Sequence, residues 1–151
     1  MAIREIVKDG DPTLEKVCRP VEKFDEKLHT LLEDMYETML KADGCGLAAP
    51  QVGILRRLCV IDIGDGVIEL INPKIVKKSG KQREVEGCLS CPGLYGYTER
   101  PYAVTVEAQD RNGNAFTIRG EDLLARALCH ELDHLDGVLF KAHVVEYLED
   151  E

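Results

Sequence analysis

The sequence lacks any long apolar run, and this absence excludes two classes of protein. Its first residues place a charged side chain every few positions, beginning with Arg4, Glu5 and Lys8. No segment there resembles the apolar core of a secretion signal. No later stretch approaches the roughly 20 apolar residues that a membrane-spanning helix needs. We therefore expect a soluble, cytoplasmic protein that does not associate with a membrane.

Positive charge is also scarce. The 151 residues include 19 lysines and arginines against 28 aspartates and glutamates, for a formal net charge of -9. Such a chain repels phosphate backbones, and no basic stretch interleaved with aromatic residues offsets the repulsion. We expect no direct readout of nucleic acid. The sequence also has no repeat, low-complexity tract or interdomain linker, so residues 1–151 are expected to form a single domain.

The cysteines are even in number, but the absence of an export signal argues against a disulfide framework. In a cytosolic chain, free thiols or metal ligands are the expected states. The six residues concerned are Cys18, Cys45, Cys59, Cys88, Cys91 and Cys129.

Hydrophobic periodicity predicts two helices and two pairs of strands. Apolar side chains recur with helical spacing over residues 25–43 and again over residues 121–135. Between them, a Gly-Asp-Gly turn joins two strand-like runs, the second of which is expected to end at Asn72 and Pro73. An Asn-Gly step at residues 112–113 predicts a later hairpin. The helices are separate from the strands in the sequence, which predicts an α+β fold with mostly antiparallel strands.

The second predicted helix contains a metal-binding pattern, His-Glu-Leu-Asp-His, at residues 130–134. Four helical residues advance by about 400°, so His130 and His134 point the same way and can bind one ion. Glu131 would then lie near the open metal position, where it can accept a proton from bound water. The bare pattern arises by chance in on the order of one in a hundred chains, so a third ligand is needed.

The third ligand is expected upstream of this helix. The metzincin spacing would place it at Phe140, which cannot bind a metal, and few residues follow His134. Cys88 is the best candidate, because a thiolate with two imidazoles suits Fe²⁺ or Zn²⁺ and leaves one position for water. An alternative remains open: Cys88 and Cys91 form a C-x-x-C pair, which could close a structural Cys₂His₂ zinc site without a catalytic role.

Three separated stretches resemble one family, the peptide deformylases: GCGLAAPQ at residues 44–51, EGCLS at residues 86–90 and HELDH at residues 130–134. The similarity extends over nearly the whole chain. It implies an α+β fold of mostly antiparallel sheets packed around a central metal-binding helix. It also implies a hydrolase that removes the formyl group from N-formylmethionine at the start of newly synthesised polypeptides.

The resemblance implies a role for each residue that matches a motif. One divalent ion, natively Fe²⁺ and in purified protein also Zn²⁺, Ni²⁺ or Co²⁺, would be held by Cys88, His130 and His134. Hydroxide on that ion would attack the formyl carbon, with Glu131 as general base and then acid. The oxyanion would be stabilised by the Gln51 side chain and the Leu89 backbone N–H. Contacts with the substrate are assigned to Gly46, Cys45, Leu123, Arg126 and Ala127.

Two acidic residues near the motifs are candidates to support the site. Glu86 or Asp133 could orient a ligand imidazole or pair with Arg100. The implied partner is a nascent formyl-methionyl polypeptide, with at most a transient contact with the ribosome. Two other functions remain open: an amidase for a different N-acyl group, and a non-enzymatic zinc-binding module.

Overall fold

A computed structural model describes residues 2–148. It contains two α-helices, α1 (Glu26–Lys41) and α2 (Leu123–Leu135), together with short 3₁₀ segments. Its strands are β1 (Gly46–Ala48), β2 (Leu58–Ile61), β3 (Ile68–Ser79), β4 (Gln82–Cys88), β5 (Cys91–Arg100), β6 (Ala103–Gln109), β7 (Ala115–Glu121) and β8 (Val144–Tyr147). None of the helices in this range is long and apolar enough to cross a membrane.

The strands form two sheets, and α2 contacts both of them. The five-stranded sheet has the order β1-β2-β3-β6-β7 and the three-stranded sheet the order β4-β5-β8, with every pairing antiparallel. The apolar face of α2 packs on the larger sheet, in a cluster that includes Ala125, Leu128, Leu132, Leu135, Leu70 and Val106. These contacts confirm the predicted fold class, with antiparallel sheets around a central helix.

Helix α1 also forms where the periodicity predicted it. The Asp25 carboxylate accepts a hydrogen bond from the Leu28 backbone N–H at 3.1 Å, which satisfies one of the free donors at the start of the helix. The apolar stripe of α1 packs against β1 and β2, in a cluster that includes Leu28, Leu32, Met35, Met39, Leu47 and Val60. This helix therefore fixes the chain that leads into β1.

The predicted strand end at Asn72 and Pro73 is wrong. Strand β3 continues to Ser79, and its register against β6 shifts between Ile71 and Lys74. The irregularity accommodates Pro73, which has no N–H to donate, and Asn72, whose φ is 52°. The bulge thus allows β3 to continue through an Asn-Pro sequence that would ordinarily end a strand.

The β4–β5 hairpin was not predicted from the sequence. Its strands are joined by a tight turn at Leu89 and Ser90, and Cys88 lies directly opposite Cys91. Strand β5 also pairs with β8 on its other side. The hairpin carries the second deformylase-like motif to the face of α2.

Candidate metal centre and active site

The three predicted ligands meet in space. Cys88 ends β4, whereas His130 and His134 lie one turn apart on α2, and the candidate ligand atoms all lie within 4.8 Å of one another. The Cys88 Sγ is 3.4 Å from the His134 Nε2. His134 is completely buried and His130 retains 9% exposure. One ion could therefore contact all three groups.

The two imidazoles differ in their surroundings. Burial lowers the pKa of His134 to about 3, so its ring is neutral, the form that binds a metal. Burial acts the same way on His130, but the carboxylates of Glu131 and Glu86 outweigh it and raise the pKa. The two carboxylates therefore favour a positive charge at His130. A bound metal cation would supply that charge in place of the proton. The donor set, one thiol and two imidazoles, fits Fe²⁺ or Zn²⁺.

A buried ion network orients His130. Its Nδ1 lies 2.9 Å from the Glu86 Oε1, which leaves the Nε2 available for a metal. Glu86 also accepts hydrogen bonds from the Arg100 Nε at 2.9 Å and from the Thr98 Oγ1. Burial alone would raise the pKa of Glu86, but its hydrogen bonds with His130 and Arg100 hold that pKa well below the usual range.

Asp133, the other acidic candidate, lies on α2 and contacts the same network. The Arg100 Nη1 donates to the Asp133 Oδ2 at 2.6 Å. Asp133 thus pairs with Arg100, and Glu86 contacts the candidate ligand. Both arrangements were among those weighed from the sequence, although the sequence alone could not assign them.

Glu131 is buried beside the candidate ligands. Its Oε2 lies 4.0 Å from the His130 Nε2, and its Oε1 has no hydrogen-bond partner within residues 2–148. Burial raises the pKa of Glu131 to about 7. A Cβ on Gly46 would lie 2.5 Å from the Glu131 Oε2, so a glycine is needed there to leave space for the carboxylate. Such a group can accept and return a proton near neutral pH.

Gln51 points its amide nitrogen toward the candidate metal centre. Its Oε1 accepts the Ala48 backbone N–H at 3.0 Å, which fixes the amide orientation. Its Nε2 then lies 3.1 Å from the Ser90 Oγ and 3.5 Å from the Cys88 Sγ. Ser90 was not singled out from the sequence, since a turn serine gives no signal for this contact.

Leu89 follows Cys88 in the hairpin turn. Its side chain packs where a Cβ on Gly44 would come within 2.7 Å of the Leu89 Cδ1. The first motif therefore supports the second: its glycine permits close packing against the turn that carries the predicted oxyanion donor.

A cavity of about 600 Å³ opens over these groups. Its lining includes every predicted catalytic and substrate-binding residue and two of the three predicted ligands, and His134 lies outside the lining. The residues concerned are Cys45, Gly46, Gln51, Cys88, Leu89, Leu123, Arg126, Ala127, His130 and Glu131. The hairpin adds lining residues to which the sequence analysis gave no role, Val85, Pro92 and Gly93, together with Gly87 of the second motif and Tyr95. Proximity to Cys88 in the sequence was the one available signal for them.

Two predicted pocket residues have further contacts. The Arg126 Nη1 donates to the Gln82 Oε1 at 2.7 Å and to the Asp122 Oδ1 at 2.9 Å, so its charge is already paired. Ala127 is buried and also belongs to the main core, and Leu123 is 42% exposed at the cavity. The wall they form is thus largely apolar.

Cys91 lies outside the ligand cluster formed by the described residues. It is buried in a separate apolar cluster with Leu14, Leu139 and Phe140. The structure therefore groups three ligands and does not assemble the alternative Cys₂His₂ site.

Comparison with known proteins extends the resemblance to the whole chain. A family model described as polypeptide deformylase matches residues 3–149. The peptide deformylase of Alkaliphilus metalliredigens is 58% identical over 97% of this chain and 99% of its own length. That of Acetivibrio thermocellus is 54% identical over 100% of this chain and 89% of its own length.

Solved structures show the same relationship. The peptide deformylase of Thermotoga maritima matches with a TM-score of 0.93 and 42% identity, over 94% of this chain and 97% of the other. That of Synechococcus elongatus, solved in complex with actinonin, matches with a TM-score of 0.91 and 43% identity, over 93% and 78%. These matches do not favour an amidase for another acyl group or a non-enzymatic zinc module. Matched by one family over almost its whole length, the chain belongs to the peptide deformylases, metalloenzymes that remove the formyl group from nascent polypeptides.

Proposed function

We propose that residues 1–151 form a single catalytic domain that removes the formyl group from N-formylmethionine in the cytoplasm, with Fe²⁺ as its native ion. One observation carries most of the support: the Cys88, His130 and His134 cluster adjoins a cavity that also contains Glu131 and Gln51. The substrate is the exposed start of a nascent polypeptide. Contact with the ribosome is transient, in keeping with the net charge of -9.

The Cys88 thiolate and the Nε2 atoms of His130 and His134 would hold the ion. When bound, it supplies Lewis acidity that polarises the formyl carbonyl and lowers the pKa of water. Glu86 keeps His130 in the orientation that this requires, through the hydrogen bond to Nδ1. Zn²⁺, Ni²⁺ and Co²⁺ are expected to substitute in purified protein.

Glu131 moves the protons. Its carboxylate accepts a proton from the water that attacks the formyl carbon, and later gives a proton to the departing amine nitrogen. The carbon–nitrogen bond breaks, leaving formate and a free amino terminus. Burial raises the pKa of this carboxylate, and a bound cation would shift it downward toward the ordinary range, in which the ionised carboxylate is ready to accept a proton.

The oxyanion is stabilised by the Gln51 Nε2 and the Leu89 backbone N–H. The Gln51 amide is held by Ala48 before any substrate arrives, so little reorganisation is needed at the moment of reaction. Both donors lie beside Cys88, on the side of the site formed by the hairpin and the segment after β1.

The methionine side chain occupies the largely apolar wall of the cavity, formed by Cys45, Leu123, Ala127 and the aliphatic part of Arg126. Gly46 lies on β1, an edge strand of the five-stranded sheet. An extended substrate backbone can therefore align along that edge.

The direct test compares formyl-Met-Ala with acetyl-Met-Ala under anaerobic conditions, with metal content measured on the same sample. We expect about one ion per chain and a strong preference for the formyl peptide, because the extra methyl of acetyl would crowd the reacting carbon. Equal rates would indicate a broader amidase. Absence of turnover in a fully metal-loaded sample would contradict the proposal.

An independent test uses the compound found in the Synechococcus elongatus complex. We expect actinonin to compete with formyl-Met-Ala and to raise the unfolding temperature of the metal-loaded chain. Noncompetitive inhibition would place its binding site elsewhere.

A further inference from the structure

The candidate ligand Cys88 has a second cysteine directly opposite it. Cys88 ends β4, Cys91 begins β5, and the two are partners across the turn of Leu89 and Ser90. Residues opposite each other in antiparallel strands place their side chains on one face, with Cα atoms about 4.5 or 5.5 Å apart. Disulfides span Cα separations of about 4.4–6.8 Å. The backbone thus already holds these residues at a distance that a disulfide can bridge.

The two thiol groups also share an apolar environment. Cys88 packs against the same apolar cluster that contains Cys91. Closing a disulfide therefore requires small side-chain movements and no separation of the strands.

Access to the two sulfur atoms is unequal. Cys88 lines the cavity, whereas Cys91 does not line it and is only 5% exposed. A small oxidant that enters the cavity meets Cys88 first. Cys91 does not face the cavity but lies opposite Cys88, so it can react with the oxidised form of Cys88.

We propose that Cys91 is a resolving cysteine, which forms a reversible disulfide with Cys88 when a hydroperoxide oxidises the site. The inference rests on the proposed function, in which Cys88 is a metal ligand. The Cys88 sulfur attacks the peroxide, an S–O bond forms, the O–O bond breaks, and one water leaves, or one alcohol where the hydroperoxide is organic. Cys91 then attacks the resulting sulfenic acid, so that an S–S bond forms, the S–O bond breaks, and a second water leaves. Two thiols have lost two electrons to the peroxide.

The disulfide changes the metal site and preserves the protein. It removes the thiolate from the ligand set, so the ion is released and hydrolysis stops. It also holds Cys88 at an oxidation level that a dithiol can reverse, because further oxidation to sulfinic or sulfonic acid is prevented. A dithiol and fresh metal should therefore restore the enzyme.

The test uses the full chain loaded with Zn²⁺, which does not itself react with peroxide. Metal content and turnover of formyl-Met-Ala are measured first, and these values test the proposed function by themselves. Hydrogen peroxide is then added, released Zn²⁺ is followed with a chelating dye, and free thiols are alkylated before digestion with trypsin. The Arg100–Pro101 bond resists trypsin, so cleavage after Arg83 and Arg111 yields residues 84–111, a single peptide that carries both cysteines.

We expect this peptide to lose two hydrogens and to escape alkylation as Zn²⁺ is released, and dithiothreitol with Zn²⁺ to restore turnover. In Cys91→Val, initial metal content and turnover should be unchanged. After peroxide, however, Cys88 should gain two or three oxygen atoms, and recoverable activity should fall by roughly tenfold or more. Cys129→Ala, which removes another buried thiol, should behave like the unmodified chain.

Peptide mapping of the unmodified chain shows whether Cys88 and Cys91 form the disulfide, even if a variant fails to fold. Irreversibly oxidised Cys88 without the linkage would overturn the proposal. A disulfide from Cys88 to Cys45 or Cys129 would also overturn it, as would full recovery of Cys91→Val.

Discussion

Helix α2 and the β4–β5 hairpin each supply part of the candidate site, but their residues are positioned in different ways. On α2, His130, Glu131 and His134 lie within a stretch of five consecutive residues, so the helical repeat fixes their relative directions. On the hairpin, Cys88 is brought to the helix by long-range contacts. Among these are the hydrogen bond that the Glu86 carboxylate accepts from the His130 Nδ1 and the ion pair between Arg100 and Asp133.

This difference suggests that substitutions in the two regions will have different effects on turnover and on metal affinity. Glu131 is placed on α2 by local structure and is not a candidate ligand, so a conservative change to it should affect the chemistry without releasing the ion. Residues of the hairpin depend on an interface, so changes there should affect how firmly the ion is held. The predictions below test that distinction, beginning with the largest expected effect.

Glu131→Gln should reduce turnover by about 10²- to 10⁴-fold while metal content stays near one ion per chain, because the amide cannot accept the proton of the attacking water. Steady-state kinetics and metal analysis on one sample measure both quantities. The same substitution at the exposed Glu26 on α1 is the matched control and should change neither. Retained turnover in Glu131→Gln would remove this residue as the proton carrier.

Gln51→Ala tests the boundary between the two regions, since Gln51 donates to groups on the hairpin. We expect a loss of about 10²-fold in kcat, the usual effect of removing one oxyanion donor, with metal content unchanged. Loss of the ion, measured on the same preparation, would instead give Gln51 a structural role on the hairpin side.

Glu86→Gln should weaken metal binding by about 10- to 100-fold, because the ligand His130 loses the carboxylate that orients it. Competition with a chelator measures the affinity. Excess metal should restore most of kcat, because the substitution lowers the metal affinity and leaves the catalytic groups in place. Glu84→Gln, an exposed neighbour on β4, serves as the control. Equal affinity in the two variants would show that the network does not support the ion.

The same network should make stability depend on pH. The pKa of Glu86 is lowered in the folded chain, so its contribution to the free energy of unfolding is fully present above the unfolded pKa of about 4.3. It is then lost as the pH falls toward the folded value. Urea unfolding should show the advantage of the unmodified chain over Glu86→Gln shrinking by about 1 kcal/mol over the first pH unit below 4.3. A constant advantage would contradict the assigned ionisation.

The contrast between the two regions also explains what the sequence could predict. The helices and the β6–β7 hairpin follow from local periodicity and turn chemistry, and the HELDH spacing alone aligns His130 with His134. The β4–β5 hairpin was missed because Gly87, Gly93 and Gly96 interrupt its apolar alternation. Continuation of β3 past Pro73 was missed because the bulge depends on its partner strand. Cys88 was identified through its motif, whereas its contacts with α2 exist only in the folded chain.

The central claim is that the hairpin supplies one ligand, Cys88, and leaves the metal centre open for catalysis. The most direct test is metal content with deformylase activity in Cys88→Ala beside Cys91→Val. We expect Cys88→Ala to lose tight metal binding and activity together, and Cys91→Val to retain about one ion per chain and full turnover. Equal metal loss in the two variants, with no hydrolysis by the unmodified chain, would mean a closed structural zinc site and would contradict the account.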